Sequence, residues 1–281
     1  MNRIMKTRIE AYKDAVRVLQ QAGIQDAATD ALRLMEKFCH CGRNDLYVHE
    51  KVALSPEEER MLEQALAKRE QHIPVQYITE EQEFMGLPFY VNESVLIPRQ
   101  DTEILVEEVL KYLSDGMEIL DLCTGSGCIL LSLLASNQKC HGIGGDISGA
   151  ALQVAKRNME QQKVLNAVWI ESNLFEKVNS QFNIIVSNPP YIKSSVIETL
   201  MPEVKDYEPV LALDGKEDGC YFYEKICRDA PRFLKPGGML FFEIGYDEAD
   251  TVRVMMQESG LKEITVKKDY SGLDRVIYGH I

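Results

Sequence analysis

The chain has 281 residues, 45% hydrophobic and 27% charged, the balance of a soluble globular protein and not of a disordered, collagenous or polytopic membrane chain. Its 44 acidic residues against 31 basic ones leave a net charge of −13. That charge repels phosphate backbones at long range and disfavours a nucleic-acid substrate, without excluding a local basic groove.

Residues 1–10 are polar and charged and hold no apolar stretch for a leader. No run of about 18 apolar residues exists to span a bilayer, so no membrane attachment is expected. Over residues 5–22 the side chains Ile9, Tyr12, Val16 and Leu19 recur near the helical period, and Gly23 ends the run. A second helix is predicted over 26–39, with Ala27, Ala31, Leu34, Met35 and Phe38 on one stripe. Ser55-Pro56-Glu57-Glu58 joins an N-cap, a first-turn proline and acids on the helix dipole, starting a helix that runs to about residue 70. Val75-Gln76-Tyr77-Ile78 and Phe89-Tyr90-Val91 alternate like short strands around Gly86 and Pro88, which predicts a hairpin. Asp101 is expected to cap a helix to about Leu113.

From residue 117 strands and helices alternate. Strands are predicted at 118–122, 141–146, 167–171, 182–187 and 239–244, and helices at 128–135, 148–159, 221–233 and after residue 244. Two closing strands, 264–266 and 275–278, flank a short polar turn. The fold class is therefore α/β: a doubly wound, Rossmann-like parallel sheet with an antiparallel C-terminal hairpin, preceded by a small all-α domain. The expected divisions are a helical bundle at 1–73, a hairpin linker at 74–98 and the α/β domain at 99–281.

Seven cysteines, an odd number with no CxxC, fit a reducing, cytoplasmic setting better than a disulfide scaffold. Cys39-His40-Cys41 has no companion cluster at zinc spacing, and no metal is expected. Glu57-Glu58-Glu59 and Glu107-Glu108 read as solvated helix faces. Tyr207 and Glu208 either border a substrate cleft or hold the loop that follows Asn188.

Asp121-Leu122-Cys123-Thr124-Gly125-Ser126-Gly127 joins the first α/β strand to its helix. Glycines there allow a sharp turn and close approach of a ligand, and the helix start offers free N–H groups to an anion. Asp146, about 20 residues further on at the end of the second strand, suits a pair of ribose hydroxyls. NAD is a possible ligand, but Leu130 stands where GxGxxG has its third glycine. S-adenosylmethionine (SAM) fits at least as well, with its carboxylate at the helix start and its amine near Asp121. Asn173 and Leu174, after the third strand, are either adenine contacts or plain loop residues.

The fourth strand runs into Asn188-Pro189-Pro190-Tyr191 at its carboxyl end, where ligands bind in such folds. The prolines stiffen the loop. The Asn188 side-chain carbonyl and the Pro189 backbone carbonyl are two acceptors for one planar NH₂, and Tyr191 is a stacking surface for it. Such a cradle suits methyl transfer to a poorly nucleophilic nitrogen by positioning and electrostatics.

These segments resemble the HemK/PrmC class of SAM-dependent methyltransferases. The likeness spans nearly the whole chain. It includes Pro74-Val75-Gln76-Tyr77-Ile78, Glu83-Phe84, Ile97-Pro98-Arg99, Asp101-Thr102-Glu103, Tyr207-Glu208-Pro209, Leu234-Lys235-Pro236-Gly237-Gly238, Glu243-Ile244-Gly245 and Asp274-Arg275. It implies methylation of the glutamine side-chain nitrogen (N5) in the GGQ motif of class 1 peptide chain release factors, a step that modulates translation termination, with S-adenosylhomocysteine as product. By the same resemblance Cys123, Thr124, Gly125, Ser126 and Gly127 contact SAM, Asp146 its ribose, and Asn188 both SAM and the substrate amide. Pro189, Pro190 and Tyr191 form the glutamine pocket, and the helical domain helps dock the release factor. The expected partners are release factors, with no direct nucleic acid and a monomeric chain.

Four positions depart from the usual pattern: Cys123 and Glu80 for glycine, Gln100 for proline, and Asn173 for aspartate. Cys123 is tolerable at a negative φ. The alternative function is an adenine-N6 nucleic-acid methyltransferase, which shares the NPPY loop but needs a basic surface for a flipped base. A non-catalytic SAM-binding protein is a third reading, disfavoured by the intact loop.

Overall fold

The computed structural model describes residues 5–49 and 51–281, so part of the leader reading, on residues 1–4, lies outside the described residues. The chain divides into two compact units. One holds the residues up to Glu80 together with Met201–Tyr207; the other holds Glu81–Leu200 and Glu208–Ile281.

The first unit is helical: α1 (Arg8–Gln21), α2 (Ala27–Cys39), α3 (Arg43–Val48), α4 (Pro56–Arg69) and α5 (Val75–Thr79). Ser55 caps α4 as its sequence predicts, in a reciprocal box with Glu58. Thr7 and Glu10 form the same box on α1. Two findings differ from the sequence reading. Helix α3 was not anticipated, and Val75-Gln76-Tyr77-Ile78 is helical, not extended. Four residues are too few to separate a period of 2 from 3.6. The buried set Val75, Ile78 and Thr79 has helical spacing, and Pro74 accepts from the Ile78 N–H at 3.2 Å. Glu80 then ends the helix at φ 56°.

The second unit opens with the hairpin β1 (Gln82–Phe84) and β2 (Leu87–Phe89), shorter than expected and turned by Met85-Gly86, both at positive φ. Then follow α6 (Gln100–Leu110), β3 (Glu118–Leu122), α7 (Cys128–Ser136), β4 (His141–Asp146), α8 (Gly149–Gln162), β5 (Ala167–Glu171) and β6 (Phe182–Ser187). Arg99, not Asp101, occupies the N-cap of α6; Asp101 sits in its first turn. Past β6 come α9 (Ser194–Ile197), α10 (Pro202–Lys205), which belongs to the helical unit, and α11 (Val210–Leu213). The chain closes with α12 (Tyr221–Phe233), β7 (Leu234–Glu243), α13 (Ala249–Glu258), β8 (Lys262–Lys268) and β9 (Asp274–His280). Strand β7 begins before the predicted Met239, because the Pro236-Gly237-Gly238 stretch is absorbed as a register irregularity against β6.

The seven-stranded sheet has the order β5-β4-β3-β6-β7-β9-β8. Its first five strands are parallel, and β9 pairs antiparallel with both β7 and β8. The doubly wound sheet and its closing hairpin are as the sequence predicts. Apolar runs divide by alternation. Ile119, Ile184, Val186 and Phe241 pack with α6 and α7, whereas Leu120, Ile185, Leu240 and Phe242 pack with α12 and α13. In register, Leu122 lies beside both Gly145 and Ser187. The turn after β3 and the loop after β6 therefore leave the sheet side by side.

Candidate active site

The turn after β3 is built on buried carboxylate chemistry. Asp121 is fully buried; Thr124 Oγ1 donates to its Oδ2 at 2.5 Å, and Oδ1 has no hydrogen-bond partner. Burial pushes its pKa up to about 7, against the lowering effect of Thr124. Asp146, at the end of β4, accepts from the Gly125 N–H at 2.9 Å and, through its other oxygen, from the Ser148 N–H at 2.9 Å. Burial raises its pKa too, while these backbone donors favour the anion.

Cys123 stands at φ 58°, so the negative φ on which its tolerance was argued is not what the structure has. The position needs left-handed backbone, and a cysteine holds it under strain. Gly127 is required for packing: a Cβ there would come within 2.8 Å of the Trp169 ring.

One cavity of about 370 Å³ gathers most of the expected site. Cys123, Thr124, Gly125, Ser126, Asp146, Asn173, Leu174, Asn188 and Pro190 line it. Asp121, Gly127, Pro189 and Tyr191 do not. Asn173 donates from Nδ2 to Glu176 Oε1 at 2.8 Å, which leaves its Oδ1 as the free acceptor. These residues fit a nucleoside ligand with an amino-acid tail. A carboxylate ends β4, the Thr124 and Ser126 hydroxyls stand just before α7, Leu174 and Ile147 supply apolar faces, and Asp121 Oδ1 is an orphaned buried acceptor.

The reacting loop is fixed from several sides. Ser187 donates to the Leu122 carbonyl at 2.7 Å. Ile192 N–H donates to Leu213 at 2.9 Å, and Gly215 N–H donates back to Ile192 at 2.8 Å. Gly215 lies so close that a Cβ would meet the Tyr191 backbone at 2.7 Å. Tyr191 turns inward, packing on the core with its hydroxyl donating to Glu243 Oε1 at 3.3 Å. Burial raises the pKa of that phenol. The expected stacking surface is thus an anchor, while half-buried Asn188 and buried Pro190 are the residues of the loop that line the cavity.

Sequence reasoning passed over Asn158, Thr102 and Glu243 as working residues. Asn158 is fully buried and accepts from Tyr90 N–H at 2.7 Å, while its Nδ2 donates to the carbonyls of Tyr90 and Ser126. It braces the glycine-rich turn from beneath. Its signal was an amide within the buried stripe of α8 beside Ala151, Leu152, Val154 and Ala155. Glu243 carried a comparable signal, a carboxylate ending the apolar run of β7. Glu208 pairs with Arg99, and Tyr207 donates to the Gln71 carbonyl at 2.5 Å within the helical unit, so both hold the loop.

A family model described as the PrmC N-terminal domain matches residues 10–79, and one described as the methyltransferase small domain matches residues 99–204. The release factor glutamine methyltransferase of Geobacter sulfurreducens is 40% identical over 264 residues, covering 94% of this chain and 93% of that one. That of Clostridium acetobutylicum is 45% identical over 215 residues, 74% and 75% of the two chains. Among solved structures, a methyltransferase from Pyrococcus furiosus matches with a TM-score of 0.52 at 17% identity, over 70% of this chain and 90% of that one. A 16S rRNA N2 G1207 methyltransferase from Thermus thermophilus matches with 0.51 at 17%, over 71% and 49%. Those two likenesses speak for the fold alone. Fold, site and family models together define a SAM-dependent methyltransferase of the doubly wound class. Within that class, the chain belongs to the HemK/PrmC family of release factor glutamine methyltransferases.

Proposed function

We propose that this protein transfers a methyl group from SAM to the side-chain amide nitrogen of the GGQ glutamine in class 1 peptide chain release factors, in the cytoplasm. SAM supplies an electrophilic methyl carbon on a sulfonium. Asp146 would take the ribose hydroxyls, Asn173 Oδ1 would accept from the adenine amino group, and Leu174 would pack against the ring. Asp121 and the turn through Thr124, Gly125 and Ser126 hold the amino-acid tail. Asn188 Oδ1 and the Pro189 carbonyl accept the two hydrogens of the substrate NH₂. This orients the nitrogen and shifts electron density onto it. As the new N–C bond forms and the S–C bond breaks, the nitrogen becomes acidic and loses one proton to solvent. No strong base is needed before transfer. The helical unit docks the release factor.

The observation that supports this reading is that Asn188 and Asp146 line the same cavity. The test is transfer of a labelled methyl group to purified release factor. Label in the intact factor, absent when its GGQ glutamine is replaced by alanine, supports the reading. Label entering DNA but not the factor overturns it.

A further inference from the structure

The cavity has a wall that neither the glycine-rich turn, Asp146 nor the Asn188 loop supplies. Pro209, Leu211, Ala212 and Lys216 line it from one arm, residues 208–216, which carries the short helix α11. That arm is fixed along its length. At its start Glu208, 4% exposed, pairs with Arg99, which also lines the cavity. In its middle Leu213 is buried, and its carbonyl accepts from the Ile192 N–H. At its end the Ser194 N–H donates to the Lys216 carbonyl at 2.9 Å, and Ser194 Oγ donates to Asp214 Oδ1 at 2.5 Å. Ile192 and Ser194 follow directly on the reacting loop after β6, whereas Asp146 ends β4, with β3 between the two strands. The arm therefore stands at the Asn188 end of the cavity.

Leu211 is the side chain of this arm that packing does not account for. It lines the cavity and is 53% exposed. The fold leaves it half in water, yet the laced backbone holds it in place. A side chain that faces cavity and solvent together stands at the opening. Apolar surface at such a place is stabilised when a partner covers it.

The substrate's own covalent geometry brings a partner there. Two methylenes separate the backbone of a glutamine from its amide. With the amide nitrogen at Asn188, the substrate Cα lies roughly 5 Å farther out. The chain on either side of that Cα must cross the opening. We infer that Leu211 is a specificity-determining contact: its side chain packs against the release factor residues that flank the acceptor glutamine, and not against SAM. The inference rests on the proposed reaction at a release factor glutamine.

The experiment measures kcat and KM for intact release factor, Kd for SAM, and Kd of the factor for protein loaded with S-adenosylhomocysteine, both Kd values by calorimetry. Leu211→Ser is expected to raise KM and Kd for the factor about 5–20-fold, as loss of a half-exposed leucine contact does. Its kcat should stay within about threefold of wild type and its Kd for SAM within about twofold. Leu211→Met, apolar and of similar volume, is expected to stay within about threefold of wild type in all four quantities. Unchanged KM and Kd for the factor in Leu211→Ser overturn the inference while leaving the reaction intact. So does a raised Kd for SAM with an unchanged Kd for the factor, which would place Leu211 on the cofactor. Equal losses in the Ser and Met variants, which would mark a role in folding the arm, overturn it as well. The calorimetric Kd for the factor needs no transfer, so it decides the contact by itself. Absence of label from the factor with wild-type protein is a failure of the proposed reaction, seen before any variant is made.

Discussion

The Ser187 hydroxyl donates to the Leu122 carbonyl at 2.7 Å, joining the last residues of the two strands from which the glycine-rich turn and the reacting loop depart. Both residues are fully buried. The pair ties the glycine-rich turn after β3 to the Asn188 loop after β6. Ser187→Ala leaves a buried carbonyl short of a partner and is expected to cost about 1–2 kcal/mol. Denaturant unfolding measures this, and an unchanged midpoint would show that the tie contributes nothing.

Two non-glycine positions hold strained left-handed backbone in this chain, Cys123 at φ 58° and Glu80 at φ 56°. Glu80→Gly removes the strain without losing a buried side chain and is expected to stabilise the protein by roughly 0.5–1 kcal/mol. Glu80→Ala retains the strained Cβ and should bring no gain. Cys123→Gly is expected to act in the same direction, with part of its gain offset by the loss of a partly buried side chain. Thermal melts of the three variants decide this; equal behaviour of the Gly and Ala variants at residue 80 would refute it.

Asp121 predicts a conflict between stability and binding. Its pKa is pushed up to about 7 by burial, from an ordinary aspartate's 3.8. Between those values the unfolded chain ionises while the folded one keeps its proton, so folding weakens as pH rises and the cost levels off above about pH 7. Asp121→Asn should therefore stabilise the ligand-free protein, on the order of a few kcal/mol near pH 8 and far less near pH 4. In the proposed binding mode, where Asp121 meets the amine of SAM, the same change should weaken SAM binding. Melts across pH together with calorimetric titration test both halves; a destabilised variant at pH 8 would contradict the first.

A carboxylate fixes the Asn173 amide, whose Nδ2 donates to Glu176 Oε1 at 2.8 Å. An aspartate at residue 173 would need no such help, because both of its oxygens accept. Glu176→Ala frees the Asn173 amide and is expected to raise the Kd for SAM about 3–10-fold, the size of one lost or misdirected hydrogen bond. An unchanged Kd would mean that Asn173 does not meet the ligand.

Most of the fold was legible because strand and helix periods are long and clean in residues 117–281. Strands 167–171 and 182–187 and helix 221–233 end where the pattern says. The failures have local causes. The stretch Val75–Thr79 is too short for its period to be read, and α3 has Gly42 at its N-cap, with no side chain of the Ser, Thr or Asp kind to mark its start. In the site, the glycine-rich turn, Asp146 and the Asn188 loop could be found from spacing. Tyr191 was misread because a sequence does not say which way a tyrosine turns; the partner that turns it, Glu243, lies 52 positions away. Thr102 is hidden for the same reason, lying 86 positions from Asn188, whose Nδ2 donates to its hydroxyl.

The most direct test of the account is single-turnover methyl transfer by Asn188→Ala, with SAM binding measured on the same protein. The cradle around Asn188 predicts a rate lowered by roughly 30–1,000-fold, or about 2–4 kcal/mol of barrier, with SAM affinity within about tenfold of wild type. Transfer at the wild-type rate would contradict the account.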